Sequence, residues 1–484
     1  MIAPTDSLSP GLAEKPAIVI IGGGFSGAAL AAHLAAGALS PVRIVLFEPS
    51  SRVGRGVAYN ATGDHLLLNV PAGKLSVWPE RPGDFADWCA ASGRLASRDA
   101  FLPRAWFGAY VEAELATALR TASGLVEFER RHCRAHSVRF SPGGGALVRT
   151  EHGDDVHADR VVLALGHGPS TVPPVFRGLA AQQRIVRDPR DAARINALAS
   201  TSRRVLIVGT GLTMIDTVAS LARTGFKGDV LAVSRRGVPA RSHGASDPAA
   251  HREWAGALHP ARLTELIRAV RARCEEHPED WRGVIDSLRP HTARLWRTLG
   301  PHDRRRFQKR VAPYWDAHRH RAPQVLAGTI AMLLERGKLG IGAAVIETAR
   351  VKRHHVEVEM RAPRTKQSSR ERFDVVILCT GPEPDPSKWG SPLVDSLLSQ
   401  GVAVVDPLGL GFVTDGRGAL RTASGVASER LFTIGPLRRP DSWESTAVPE
   451  LSRQAQDLAQ TLIEGMKPSS GRGRRAATSK EYSQ

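Results

Sequence analysis

The stretch AIVIIGGGFSGAAL, Ala17 to Leu30, decides the fold. A β-branched run ends in three glycines and continues as an alanine-rich helix to about Ala36, the pattern of a buried strand turning sharply into a helix. In Gly22-x-Gly24-x-x-Gly27 the first glycine permits the tight turn, the second lets backbone approach a pyrophosphate, and the third lets helix and strand pack closely. The anion then rests on the positive helix N-terminus, against Gly22, Gly23, Gly24, Phe25, Ser26 and Gly27. A second strand, VRIVLFE, ends at Glu48, 21 residues after Gly27. A carboxylate there accepts hydrogen bonds from both hydroxyls of an adenosine ribose. Strand, helix and strand within about 30 residues imply a parallel sheet.

The same order recurs at VLIVGTGLTMID, Val205 to Asp216. Gly209, Thr210 and Gly211 form the turn, a helix runs to about Thr224, and the strand GDVLAVSRR ends at Arg236. Met214 stands where a third glycine belongs, so the helix is expected to lie further from its strand. The second strand closes with Ser234, Arg235 and Arg236 and no acid. Arginines grip a 2′-phosphate bidentately where an acid repels it, which favours NADPH and leaves NADH possible. Two cradles suit a tightly held FAD and a nicotinamide nucleotide that arrives with hydride and leaves.

The expected fold class is therefore α/β: two Rossmann-like dinucleotide-binding domains, the FAD domain interrupted by the NAD(P) domain, with a helical insertion. The boundaries read from the chain are a flexible lead-in 1–16, the first part of the FAD domain 17–175, the NAD(P) domain 200–370 with a helical insert about 247–327, the second part of the FAD domain 371–466, and a disordered basic tail 467–484. Prolines 169, 173 and 174 mark the first junction.

A length of 484 residues, 42% of them hydrophobic, supports two or three compact domains. The net charge of +18 suggests an anionic partner or a generally arginine-rich protein. The zinc finger, ribonucleoprotein motif and basic zipper that mark nucleic-acid binding are missing, which makes a nucleic-acid partner an unfavoured reading. Cys89, Cys133, Cys274 and Cys379 lie far apart, so the chain has no CxxC to pass electrons from a flavin to a disulfide. With no apolar run of about 18 residues and no basic stretch ahead of the first strand, a cytoplasmic protein without a membrane partner is expected.

The segments GGGFSG, GRGVAYN, LLLNVPAGKLSVWPE, DFADW, FLPRAWFGAYV, VLIVGTGLTMID, SRRG, YWDAHRHRAPQ, CTGPEPDP and IGPLRRPDSWESTAVPELSRQA together resemble a family of FAD/NAD(P)-binding oxidoreductases, over roughly Ala17 to Leu458. That family shares its nucleotide-binding domain with flavin-dependent urate hydroxylases and aspartate N-monooxygenases, and its two-cradle layout is distantly similar to that of N-hydroxylating and Baeyer-Villiger monooxygenases. The resemblance implies that Gly22, Gly24, Gly27 and Glu48 serve FAD and that Gly209, Gly211, Ser234, Arg235 and Arg236 serve the nicotinamide nucleotide. It also implies that Gly435, in TIGPL, forms the late turn that sets a helix start near the flavin. The spaced Gly, His and Trp of the Baeyer-Villiger fingerprint do not fall convincingly around GHGPS.

Other residues read as candidates beside the chemistry. Asn69 and Lys74 lie in a proline- and glycine-broken loop suited to folding over a flavin, with Lys74 placed to stabilise negative charge on its reduced form. Arg104, ahead of an aromatic-rich helix, suits a cofactor phosphate or a structural ion pair. Trp443 and Glu444 either cap the last helix or border the flavin pocket, and His243 stands near the arginine pair. His318 and His320 lack a carboxylate at metal-binding spacing, so no metal is expected.

The expected activity is that of an FAD-dependent, NAD(P)H-consuming monooxygenase using molecular oxygen. A flavin C4a-hydroperoxide would hydroxylate a small polar or anionic substrate, an amino acid nitrogen or a purine. The alternative is a reductase passing electrons to a partner or quinone, and a non-catalytic nucleotide sensor is a third reading.

Overall fold

The computed structural model describes residues 15–60, 63–94, 97–141 and 144–466. The expected basic tail, and all of the lead-in but Lys15 and Pro16, lie outside the described residues.

One six-stranded sheet runs in the order Ala419–Arg421, Ala427–Thr433, Arg160–Leu163, Ala17–Ile21, Val42–Phe47, Val126–Arg131. Only its Ala419–Arg421 edge pairs antiparallel. Ala17–Ile21 is central and every residue of it is buried, which is why its sequence is apolar without alternation. Helices Phe25–Gly37, Arg104–Thr121 and Val448–Glu464 cover one face. Ala28, Ala29, Ala31, Ala32 and Ala35 are all buried in the first of these, and a helix enclosed on all sides is apolar all round. The other face carries the antiparallel strands Ala135–Phe140, Ala146–Thr150 and Asp155–Ala158 together with helix Pro392–Ser399.

A five-stranded parallel sheet repeats this layering in the order Leu339–Ala343, Asp229–Ser234, Arg204–Val208, Val375–Leu378, Ile185–Val186. Helices Leu212–Arg223 and Gln324–Glu335 pack on one side. Antiparallel strands Val345–Val351, Val356–Arg361 and Ser368–Phe373 pack on the other.

Three expected boundaries move. Val375–Leu378 hydrogen-bonds to Arg204–Val208, so the chain leaves this second unit after Cys379 and not at 370. Ile185–Val186 joins the same sheet, so that unit begins before 200. Leu326 and Ile330 are buried in its core, so helix Gln324–Glu335 belongs to it and the insert ends near Arg319. A short apolar strand shows that it is buried without showing which sheet receives it.

The insert comprises helices Arg252–Ala257, Leu263–Glu276, Trp281–Ser287, Thr292–Thr298, Pro301–Arg306 and Ala312–Arg319. A π-helical segment, Phe307–Val311, joins the last two. Leu263, Trp296, Leu299 and Phe307 share a core with Leu410 and Trp443, which docks the insert onto the six-stranded unit. The links between the two sheets run side by side: Thr171 N–H donates to Gly381 O at 2.9 Å and Glu383 N–H to Pro169 O at 2.8 Å.

Candidate active site

The first cradle is shaped by close backbone approach. Gly22 has φ 109°, and a Cβ on it would lie 2.3 Å from Ala164 O. A Cβ on Gly27 would lie 1.9 Å from Gly22 O, and one on Gly23 would lie 2.6 Å from Glu48 Cβ. Only glycine fits these positions. Gly24 caps helix Phe25–Gly37 with no side-chain cap and no acid in the first turn, leaving its N–H groups and positive end available to an anion. Glu48 Oε2 accepts from Gly23 N–H at 2.9 Å and Oε1 from Ser50 N–H at 2.8 Å, so the carboxylate stands beside the glycine turn. Gly435, at φ 90°, closes the cradle from behind: a Cβ there would lie 3.2 Å from Ser26 Oγ. Phe25 is buried against Tyr59 and Phe107. Arg55 is also buried, with Nη2 on Glu112 at 2.9 Å and Nε without a partner. The uncapped helix start and this orphaned guanidinium nitrogen fit a dinucleotide pyrophosphate.

The second cradle copies the first. Gly209 has φ 120°, and its Cβ would lie 2.1 Å from Cys379 O. In both units the first glycine thus packs on the carbonyl that follows the neighbouring strand. A Cβ on Gly211 would meet nothing within 4 Å, which leaves open space above the uncapped start of helix Leu212–Arg223. Met214 is wholly buried in this unit's core. Thr210 Oγ1 donates to Val238 O at 2.8 Å, and Ser234 Oγ accepts from Gly237 N–H at 2.9 Å. These two hydroxyls, 3.0 Å apart, tie the turn to the loop carrying the arginines. Arg235 is exposed, whereas Arg236 Nη2 donates to Lys309 O at 2.6 Å and its guanidinium lies 5.5 Å from the Tyr314 ring centre.

The loop from His65 to Lys74 of the first unit meets the second. Arg104 Nη2 bonds Asp216 Oδ2 at 2.7 Å and its Nε bonds Leu67 O at 2.9 Å, so this arginine is committed to an ion pair between the units. Burial raises the Asp216 carboxyl above its usual range despite Arg104. Ser220 Oγ donates to Asp216 O at 2.8 Å and accepts from His65 Nε2 at 2.9 Å. His243 Nε2–H donates to Asn69 O at 2.9 Å, which places the proton of the neutral ring on Nε2. Burial, aided by Arg321 and Lys74, pushes the His243 pKa down to about 4. Lys74 is exposed beside this contact.

Trp443 and Glu444 hold the insert. The last helix has Ala447 as its N-cap with no side-chain cap, so neither residue caps it. Glu444 is 1% exposed, accepts from the Trp315 indole N–H at 3.0 Å and lies 3.4 Å from Arg319. Burial opposes its ionisation, yet Arg319 and His320, with the indole N–H, outweigh burial and hold the carboxyl below its usual range. Trp443 packs on Trp296 and Phe307, with Arg439 4.0 Å from its ring centre. His318 Nδ1 bonds Tyr314 O at 2.7 Å, and among the described residues no cluster of three metal-ligating side chains occurs. No helix among them is long and apolar enough to cross a membrane.

Asp216, His65, Arg55 and Trp315 escaped the sequence reading. Their partners lie 112, 155, 57 and 129 residues away, and no local pattern signals such pairs.

Two sheets, one wholly and one largely parallel, with matched glycine turns and adjoining links define a two-domain FAD/NAD(P) flavoprotein fold. Residues 19–168 match a family model described as FAD-NAD(P)-binding; no curated protein matches the chain by sequence. In structure the chain is similar to L-lysine 6-monooxygenase from Pseudomonas syringae, with a TM-score of 0.63 and 18% identity over 94% of this chain and 100% of that one. It is similar to the ornithine hydroxylase of Pseudomonas aeruginosa at TM-score 0.61 and 16% identity, covering 94% and 100% of the two chains. A third likeness is to the ornithine N-hydroxylase of Kutzneria sp. 744, solved with reduced FAD, NADP+ and L-ornithine, at TM-score 0.60 and 15% identity over 93% and 99%. At these identities the likeness is one of fold.

Proposed function

We propose that the chain is an FAD-dependent, NADPH-consuming monooxygenase that oxygenates an amine nitrogen of an acid-bearing substrate. The observation that carries this reading is the pair of uncapped helix starts, one on each sheet, each behind a turn whose first glycine admits no side chain. Bound FAD would accept hydride from the nicotinamide and activate oxygen. The first cradle, Glu48 and Arg55 would hold the FAD dinucleotide, and the second cradle with Arg235 would hold the nucleotide that delivers hydride. The Asn69–Lys74 loop, pinned by His243, would keep water from the junction of the units and bring the Lys74 ammonium toward developing negative charge. The fold is shared with the lysine and ornithine hydroxylases, which favours nitrogen over carbon as the oxygenated atom.

The thiols weigh against a disulfide reductase. All four cysteines are unpaired, and burial pushes Cys379 up to about 12 and Cys89 up to about 11, far from a reactive thiolate. The test is to mix FAD-loaded protein anaerobically with NADPH, then to measure oxygen uptake and hydroxylated product across a panel of amino acids and diamines. Rapid flavin bleaching followed by uptake matched to product is expected. Bleaching with peroxide as the sole product throughout, joined to rapid reoxidation of the reduced flavin by a quinone under anaerobic conditions, would make the chain an electron-passing reductase.

A further inference from the structure

The helical insert and its borders form an open-mouthed cavity of about 1100 Å3 that none of the cradle glycines lines. That is slightly above the roughly 300–1,000 Å3 typical of small-molecule sites. Its walls are apolar and aromatic: Ile267, Val270 and Ile285 line it with Trp281, Trp296 and Trp315, and Trp443 joins them from the six-stranded unit. The charge on the lining is one-sided. Arg241, Arg271, Arg282 and Arg310 border it, with Glu275 the lone carboxylate. Among the described residues, Arg241, Arg271 and Arg310 are exposed and make no ion pair or side-chain hydrogen bond. Arg282 is half-buried, its guanidinium 4.5 Å from the Trp281 ring centre and its Nε on Ser242 O at 3.2 Å. Burial and the neighbouring Arg321 disfavour its charge, a condition that an anion relieves.

The cavity is bordered by residues that adjoin both units. Arg236 of the second cradle bonds Lys309 O and approaches Tyr314, and Tyr314 and Arg310 line the cavity. Trp443 precedes Glu444, the anchor between the insert and the final FAD segment.

We propose that this cavity binds the organic substrate as an amphiphilic anion, its apolar body against the indoles and its acid group on the arginines at the mouth. That the ligand is the substrate rests on the monooxygenase reading; that it binds here does not. The fit narrows a small polar substrate to one with a sizeable hydrophobic body.

The test follows tryptophan fluorescence of the FAD-loaded full chain, without NADPH, during titration with laurate, dodecanol and dodecyltrimethylammonium. Laurate should saturate one site and bind at least about ten-fold more tightly than dodecanol, with the ammonium compound weakest. Val270→Trp should weaken laurate by about ten-fold or more by filling the cavity. The double variant Arg271→Glu/Arg310→Glu should weaken laurate and leave dodecanol unchanged, with flavin content and circular dichroism reporting that each variant is folded. Equal affinity for laurate and dodecanol, indifference to Val270→Trp, or competition between laurate and NADP+ overturns the assignment. Normal laurate binding by a protein that hydroxylates nothing sinks only the oxygenase reading, and a working oxygenase that ignores laurate sinks only this one.

Discussion

Single glycines carry opposite burdens in the two cradles. Gly22→Ala places a Cβ 2.3 Å from Ala164 O at a positive φ, so a loss of more than about 2 kcal/mol in denaturant unfolding is expected, with FAD lost on purification. Gly211 has φ −84° and open space around its Cα. Gly211→Ala should therefore stay within about 0.5 kcal/mol of the parent in stability while raising KM for NADPH, because the new methyl occupies ligand space. Arg235 is exposed, and Arg235→Ser should raise KM for NADPH about ten-fold and leave NADH unchanged. Steady-state kinetics with both nucleotides checks this, and equal effects on the two would remove Arg235 from the 2′-phosphate. At this scale the sequence was most legible, since a glycine spacing states its own geometry. It was least legible for Arg104, whose carboxylate partner sits 112 residues further on.

Elements are joined across the units by a few polar contacts at partly buried positions. Arg104 and Asp216 have side-chain exposures of 25% and 16%. Arg104→Leu strands the carboxylate and is expected to cost about 2 kcal/mol, whereas the double variant Arg104→Leu/Asp216→Leu should regain much of that loss. Urea titrations of the four proteins would measure the coupling, and simple additivity would show that the pair contributes nothing. The strand-helix-strand order of both cradles was readable from runs of apolar residues. Strands were also legible over Leu339 to Met360, but Ala135–Phe140, which reads AHSVRF, and Ser368–Phe373, which reads SSRERF, were not. Charged and polar residues there break the alternation that marks a half-buried strand. The helical insert was visible as a change of period, but its cavity depends on how six helices turn toward one another, which no single periodicity encodes.

Over the whole molecule, acid should act through a histidine held neutral where the units meet. Burial, with Arg321 and Lys74 adding, pushes His243 down to about 4. The unfolded chain binds this proton near pH 6.5 and the folded one near pH 4. Its contribution is complete above pH 6.5 and is lost progressively as the pH falls to 4. Thermal melts across that window should show a declining Tm, and His243→Gln should flatten the decline; an unchanged slope would place the acid sensitivity elsewhere. The paired links at Pro169–Thr171 and Gly381–Glu383 have a consequence for ancestry. The second unit enters and leaves the first at one spot, so it is a cassette whose ends already meet. Such a segment can be gained or exchanged without rethreading its host. A short glycine linker in its place should leave a self-contained fold with a single cradle, provided that Trp443 and Leu410, stripped of the insert's apolar cover, are made polar at the same time.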